Sequence, residues 1–446
     1  MSDLKVKFMQ SKFLLESNKI ALSKYGGIPL EVCGPGEIRQ DEEGVLQYKF
    51  FVGEDQYGAL VKHDFREHIA GRLIPSEDHF ELRVSDGVQL EWVSSQVLME
   101  TRGIFSKGVV FGNLQEIVKK TDRLGSSNMD CVIIQLCGKI KFPSNCSTEI
   151  KKQIAGHEAG SSWSLNVAQH QFNGFKFEMR HEDEHTVVSL SLPKGQLKPT
   201  TPMRIQEALQ FVLGQRLQVM IIDTYANKTH TTRLISPRNN SEKIEPPLHF
   251  SNVHEAKNVW NMFANYFGYI HSYEKMRWHP VSCHIGSVLE ASSASMEIQV
   301  LTLSVAVEGV LKECFTDICP ISKELVSNVN KLLDLLKNEG FSESFKQRAN
   351  GSLNAMKTPR GSDRVKKFVE KYNMPKELFD SWRMLRNSSA HGSLNSEIEK
   401  LIIQQQKTLS LFYAIIFSAI GYEGNRTNYA IEGWPKTIWP SKNSKK

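Results

Sequence analysis

The spacing of apolar residues changes period about halfway along the chain, and that change limits the folds open to it. Through the first 240 residues, apolar and β-branched residues come in short runs: LQYKFFV (46–52), FELRV (80–84), DCVIIQL (130–136) and HTVVSLSL (185–192). Their length and composition are those of strands. Turn signals such as SDG (85–87) and SSN (126–128) separate them. After about residue 285 the repeat lengthens to three and four. Met296, Val300, Leu303, Val307, Val310 and Cys314 form one stripe, and Ile398, Ile402, Leu409, Phe412, Ile416 and Ile420 form another. Residues so spaced share one face of a helix. The expected fold class is therefore α+β and multidomain: a β-rich N-terminal domain followed by a C-terminal all-α helical bundle.

A length of 446 residues suits two domains. The polar, proline-bearing stretch ISPRNNSEKIEPP (235–247) reads as the join. The expected division is a β-rich domain at 1–240, a linker and bridging segment at 241–284 that includes the aromatic WNMFANYFGYIHSY (260–273), a bundle at 285–425 and a tail at 426–446. One amphipathic helix, IQEALQFVLGQRL (205–217), interrupts the strands before VMIID (219–223). In the bundle, ISKELVSNVNKLLDLLKN (321–338) predicts a middle helix, and PKELFDSWRMLRN (375–387) predicts a helix opened by Pro375, a favourable first-turn residue. Ser396 with Glu399 has the spacing of a capping box for the last helix, which Gly421 and Gly424 close. Four or so helices with short connections make a bundle.

Seven cysteines without a repeating framework, and an N-terminus (MSDLKVKFMQSKFLL) lacking an apolar signal core, point to a reducing cytoplasm. The longest apolar run, LSLFYAIIFSAIGY (409–422), is shorter than the roughly 20 residues that cross a bilayer, so no membrane association is expected. The net charge of +6 is modest, but it is unevenly placed. From Phe341 to His391 there are eleven Lys and Arg against five Asp and Glu, while the rest of the chain is nearly neutral. Phosphate contacts in any RNA complex draw on such residues, which makes Lys366, Lys367 and Arg383 candidate substrate-binding charges.

Within that stretch the order Arg386-Asn387-Ser388-Ser389-Ala390-His391 is unusual for a helix. Leu378, Trp382 and Leu385 form an apolar stripe and leave Arg383 and Arg386 on an adjoining face. Like charges at this spacing repel unless an anion sits between them or water screens them, and the planar guanidinium fork matches phosphate oxygens. Arg386 and His391 are five residues apart, about 140° around a continuous helix, so one intact helix points them away from each other. Either Ser388-Ser389 and Gly392 end the helix and let His391 swing round, or a second copy supplies the missing partner across a two-fold axis. A histidine can take or give a proton near neutral pH, and an arginine can stabilise developing negative charge. RNA carries its own nucleophile, the 2′-hydroxyl, so internal cleavage needs those two aids and no metal.

The hexapeptide resembles the Arg-(four to six residues)-His motif of HEPN domains, whose active members are metal-independent endoribonucleases and usually carry a polar residue after the arginine, here Asn387. LSVAVEGVLKECF (303–315) is similar to the first long helix of many HEPN domains. A β-rich half joined to such a bundle resembles the ApeA-type anti-phage abortive-infection proteins. The resemblance implies an antiviral effector that is dimeric through the bundle, answers a phage-derived trigger and acts on RNA such as transfer RNA. It implies that Arg386 binds the scissile phosphate, His391 is general acid or base, Asn387 orients one of them and Glu308 holds Arg386 by an ion pair. It calls for no cofactor and no metal. The alternative is a non-catalytic HEPN-type module that binds RNA or protein without cutting.

The remaining clusters are weaker. His271, His279, Cys283 and His284 are zinc-ligand types without a tight paired spacing. His181 and His185 flank charged residues expected at a hairpin tip. CGPGEI (33–38) reads as a turn without the lysine or helix of a phosphate loop.

Overall fold

The computed structural model describes residues 2–24, 30–56, 58, 79–85, 91–97, 108–122, 129–154, 157–237, 242–251, 253–390 and 398–440. The chain forms two compact units, Met1–Pro202 with Leu217–Asn240, and Met203–Arg216 with Ser241–Lys446.

The first unit opens with helix α1 (Ser2–Met9), followed by β1 (Leu14–Lys24), β2 (Leu30–Gln40), β3 (Leu46–Phe51), β4 (Phe80–Ser85), β5 (Glu91–Val97), β6 (Val109–Leu114) and β7 (Glu116–Asp122). Next come β8 (Met129–Leu136), β9 (Cys146–Ile154), β10 (His157–Phe172), β11 (Phe175–Glu182) and β12 (His185–Pro193), and later β13 (Val219–Ala226) and β14 (Thr229–Ile235). Among the described residues these make one 14-stranded sheet in the order β6, β3, β2, β1, β4, β5, β7, β14, β13, β8, β12, β11, β10, β9. The period-two pattern does what it should. In β3, Leu46, Tyr48 and Phe50 are buried, and in β4, Phe80, Leu82 and Val84 are, with the intervening residues turned outward. They share a core with Phe8 of α1, Trp92, Val110, Met220 and Leu234. Asn173-Gly174, at φ 46 and 81, closes the β10–β11 hairpin in the left-handed conformations a two-residue turn needs. Helix α1 is tied down by Lys5, whose Nζ lies 2.7 Å from each Asp223 carboxylate oxygen.

CGPGEI is a strand rather than a turn, since it lies wholly within β2. Its glycines serve close approach: a Cβ on Gly34 would stand 1.6 Å from the Phe51 carbonyl oxygen, and one on Gly36 2.2 Å from that of Lys49. The charged tip between β11 and β12 is a hairpin turn, with Glu182 paired to His185.

The second unit contains most of α2 (Thr201–Leu213), together with α3 (Ala256–His271), α4 (Pro280–Ala291), α5 (Met296–Cys314), α6 (Lys323–Asn338), α7 (Glu343–Ala355), α8 (Gly361–Lys371), α9 (Lys376–Ala390) and α10 (Ile398–Ala419), and ends in the β15 (Gly424–Thr427) and β16 (Lys436–Trp439) hairpin. A β-rich region followed by helices is the α+β arrangement expected. The divisions differ in three places. The expected linker and bridge at 241–284 carries helix α3, with Val259, Trp260, Phe263, Phe267 and Ile270 buried, and the start of α4, opened by His279 and Pro280. Residues 203–216 belong with the helices because Arg204 and Glu207 of α2 are buried there as a pair. Arg204 Nη2 also donates to the carbonyl oxygens of Tyr273 (3.1 Å), Lys275 (2.9 Å) and Arg277 (2.9 Å). Finally, the expected tail is packed. Trp439 is buried with the Arg426 guanidinium 4.8 Å from its ring, and the Tyr429 hydroxyl donates to the Pro246 carbonyl at 2.5 Å.

Candidate functional site

The site is built on α9 and α5. Leu378 N–H donates to the Pro375 carbonyl, so proline starts α9 where its missing donor costs nothing. The stripe Leu378, Trp382 and Leu385 is buried as its spacing predicts. The Trp382 indole N–H donates to the Ser304 carbonyl of α5 at 3.0 Å, which satisfies the one polar atom of a buried ring and fixes the rotation of α9 against α5.

One turn beyond Trp382 and one turn beyond Ser304, Arg386 meets Glu308. The guanidinium Nε donates to Glu308 Oε1 at 2.7 Å, with side chains 36% and 29% exposed. Because the carboxylate takes the Nε edge, the Nη1 and Nη2 end of the fork makes no hydrogen bond to the described residues, and neither atom is buried without a partner. That end can still grip a phosphate in two-point fashion. Asn387 follows on the exposed side of α9. Ser388 and Ser389 do not end the helix, which runs through to Ala390. His391, Gly392 and the proposed cap Ser396 lie outside the described residues.

Glu308 is fixed from other sides as well. Gly361, the first residue of α8, lies against its carboxyl group: a Cβ there would stand 2.7 Å from Oε2 and 2.8 Å from Cδ. At the adjacent Gly309 the His284 ring presses on α5 so closely that a Cβ would fall 2.1 Å from its Cε1. Burial pushes the His284 imidazole below its usual titration range, with Glu313 pulling the other way. Sequence reasoning passed over both glycines; Gly309 is marked by its position inside an otherwise regular helix, and Gly361, at a helix start, is not.

The other candidate charges behave differently. Lys366 and Arg383 line one cleft of about 720 Å³ between α8 and α9, which also holds Lys376 and the carboxylates of Asp363, Glu370 and Asp380. Three cations face three anions, so the positive excess counted along the sequence is cancelled at this spot. Arg383 sits 3.4 Å from Asp380 and over the Phe379 ring. The two arginines thus each have a carboxylate of their own and need no shared anion to relieve repulsion. Lys367 turns to Glu370 at 3.0 Å, and that hydrogen bond raises its pKa.

The cysteine and histidine residues at 271–284 have structural occupations. His279 caps α4, its Nδ1 accepting from the Val281 N–H at 3.2 Å, and burial together with the Arg204 charge lowers its pKa to about 4. His271 stacks on Phe267, and the Cys283 thiol points to the Trp278 carbonyl. Among the described residues no three His, Cys, Asp or Glu side chains group to hold a metal ion, and no helix is long and apolar enough to cross a membrane. No protein-family model, curated protein or solved structure matches the chain.

Proposed function

We propose that the chain is a metal-independent endoribonuclease of the HEPN type, an anti-phage effector whose β-rich unit senses a trigger and whose helical unit cuts RNA. The observation that carries this reading is the Arg386–Glu308 pair, in which the carboxylate engages Nε and, among the described residues, leaves the Nη1 and Nη2 end of the guanidinium without a hydrogen bond. In the proposed reaction the 2′-hydroxyl oxygen attacks the adjacent phosphorus and loses its proton to a base. The P–O5′ bond breaks, the 5′-oxygen takes up a proton, and the products are a 2′,3′-cyclic phosphate and a 5′-hydroxyl end. Arg386 stabilises the charge gathering on the non-bridging oxygens, and His391 moves the proton. Asn387 orients one of them. Unstacked loops of structured RNA, as in transfer RNA, suit internal attack.

A two-fold dimer would suit the same chemistry. Ile298, Leu301 and Val305 are exposed apolar residues that continue at helical spacing into Glu308, an unusual face for a solvated helix. Pairing two such faces would bring the two copies together beside the site, so that one protomer's Arg386 can meet its partner's proton-transfer group.

The test is purified protein on total RNA with EDTA present. Cutting that persists under chelation and disappears in both Arg386→Ala and His391→Ala is the expected result. RNA that is bound but never cut identifies a non-catalytic module instead. Abolition by EDTA identifies a metal-dependent enzyme.

A further inference from the structure

We infer that Gly361 is a positioning residue for Arg386, acting through Glu308; the catalytic part of this inference rests on the reading just given. Glu308 has to satisfy two demands at once. It must hold Arg386 firmly enough to aim it, yet leave it enough positive field to serve a phosphate.

The contact with α8 reconciles them. The carboxyl group lies against the first residue of a helix of 11 residues, whose amino-terminal end carries partial positive charge. Glu308 is thereby balanced by the helix end on one side and by Arg386 on the other, and neutralises neither completely. Such an approach is possible only without a side chain. A Cβ at 361 would meet Oε2 at 2.7 Å, Cδ at 2.8 Å and Cγ at 3.1 Å, whereas ordinary contact begins near 3.4 Å. Gly361 has no positive φ, so the backbone itself does not require glycine here. In the first turn of a helix alanine is the better residue by roughly 1 kcal/mol or less. Glycine at this position costs helix stability and returns space, and the space is taken by the acid that holds Arg386.

Gly361→Ala separates this role from folding. The added methyl forces the carboxyl group back by about 0.7 Å, which a flexible side chain can do without unfolding anything. The melting midpoint should hold or rise slightly. The expected kinetic signature is a fall in kcat of roughly ten- to a hundred-fold with KM little changed, since displacements of this size at a charge-stabilising group act on the transition state. In a Glu308→Ala background the same change should add no further loss, because residues acting through one another are not additive.

A readout independent of RNA is the Nε–H resonance of Arg386 in a nitrogen–proton correlation spectrum, assigned by its absence in Arg386→Lys. In the wild type it should lie away from the free-arginine position and exchange slowly; in Gly361→Ala it should move toward the free position. An unmoved resonance overturns the inference, as does a kcat loss of full size in the Glu308→Ala background. If wild-type protein leaves RNA intact, the ribonuclease reading fails, and the resonance still decides the role of Gly361.

Discussion

Replacing Glu207 by glutamine should be among the most destabilising single changes available in the helical unit. Arg204 and Glu207 both have fully buried side chains. Glu207 also accepts from the Ser282 hydroxyl at 2.7 Å and from the His279 backbone N–H at 3.3 Å, and Ser282 is bonded in turn to the Tyr266 hydroxyl. The amide in Glu207→Gln can replace most of these hydrogen bonds, because its oxygen can face Arg204 while its NH₂ donates to Ser282. What it cannot replace is the charge. A guanidinium left buried without its anion costs about 3–5 kcal/mol, whereas the Arg386–Glu308 pair, about a third exposed, is worth about 1 kcal/mol or less. At roughly 2–4 °C per kcal/mol for a unit of this size, the helical transition should fall by about 10 °C in Glu207→Gln and by about 4 °C at most in Glu308→Gln. Thermal melting followed by circular dichroism at 222 nm measures both. Arg204→Met combined with Glu207→Gln should recover much of the loss by removing the stranded cation. Equal midpoints for Glu207→Gln and wild type would refute the reasoning.

Two further outcomes are expected. Between pH 6.5, where an unfolded histidine titrates, and about 4, where His279 does, the unfolded chain holds a proton that the folded chain refuses; stability should therefore drop as pH falls through that window. The full linkage is about 3 kcal/mol, reduced to roughly 1–2 kcal/mol by solvent screening of a partly exposed ring. Urea midpoints at pH 7 and 4.5 should show the drop, and His279→Asn, which still caps a helix but does not titrate, should flatten it. If the proposed dimer forms through α5, Leu301→Glu should give a monomer by light scattering and reduce the proposed cutting with it; a mass unchanged from wild type would remove this face from the assembly.

Strands with one face buried were readable because the alternation in 46–51, 80–85 and 129–136 is set by burial alone. Helices α5 and α9 were readable for the same reason at a different period, whereas α6 was readable from its amphipathic spacing although Val329 alone of its residues is buried. β1 escaped notice since LLESNKIALSK mixes polar residues into both faces. The helix at 256–271 and the start of the one at 280–291 read in sequence as a bridge because so many of their residues are apolar that no single stripe stands out, although His279-Pro280 carries a start signal. The pairing of Arg386 with Glu308 was an expectation carried by the family resemblance, and nothing in the spacing of the two residues required it. Their relation to Gly361 was not legible, because an absent side chain leaves no pattern until a distant acid is seen to fill its place. The burial of Arg204 and Glu207 has no signal in the sequence, and only the carbonyls of residues 273, 275 and 277 explain why they are inside.

The order of the units along the chain has a consequence for how the molecule is made. The polypeptide leaves the first unit after Pro202, lays down residues 203–216, and returns to insert β13 and β14 between β7 and β8 in the interior of the sheet. On the ribosome the sheet therefore stays open at its middle until residue 235 has emerged, while Arg204 waits for carbonyls made some 70 residues later. No single cut can leave both units whole. A fragment starting at 241 would lack the arginine that gathers its loop, and one ending at 202 would lack two interior strands, so neither half is a finished object without sequence from the other side of the cut.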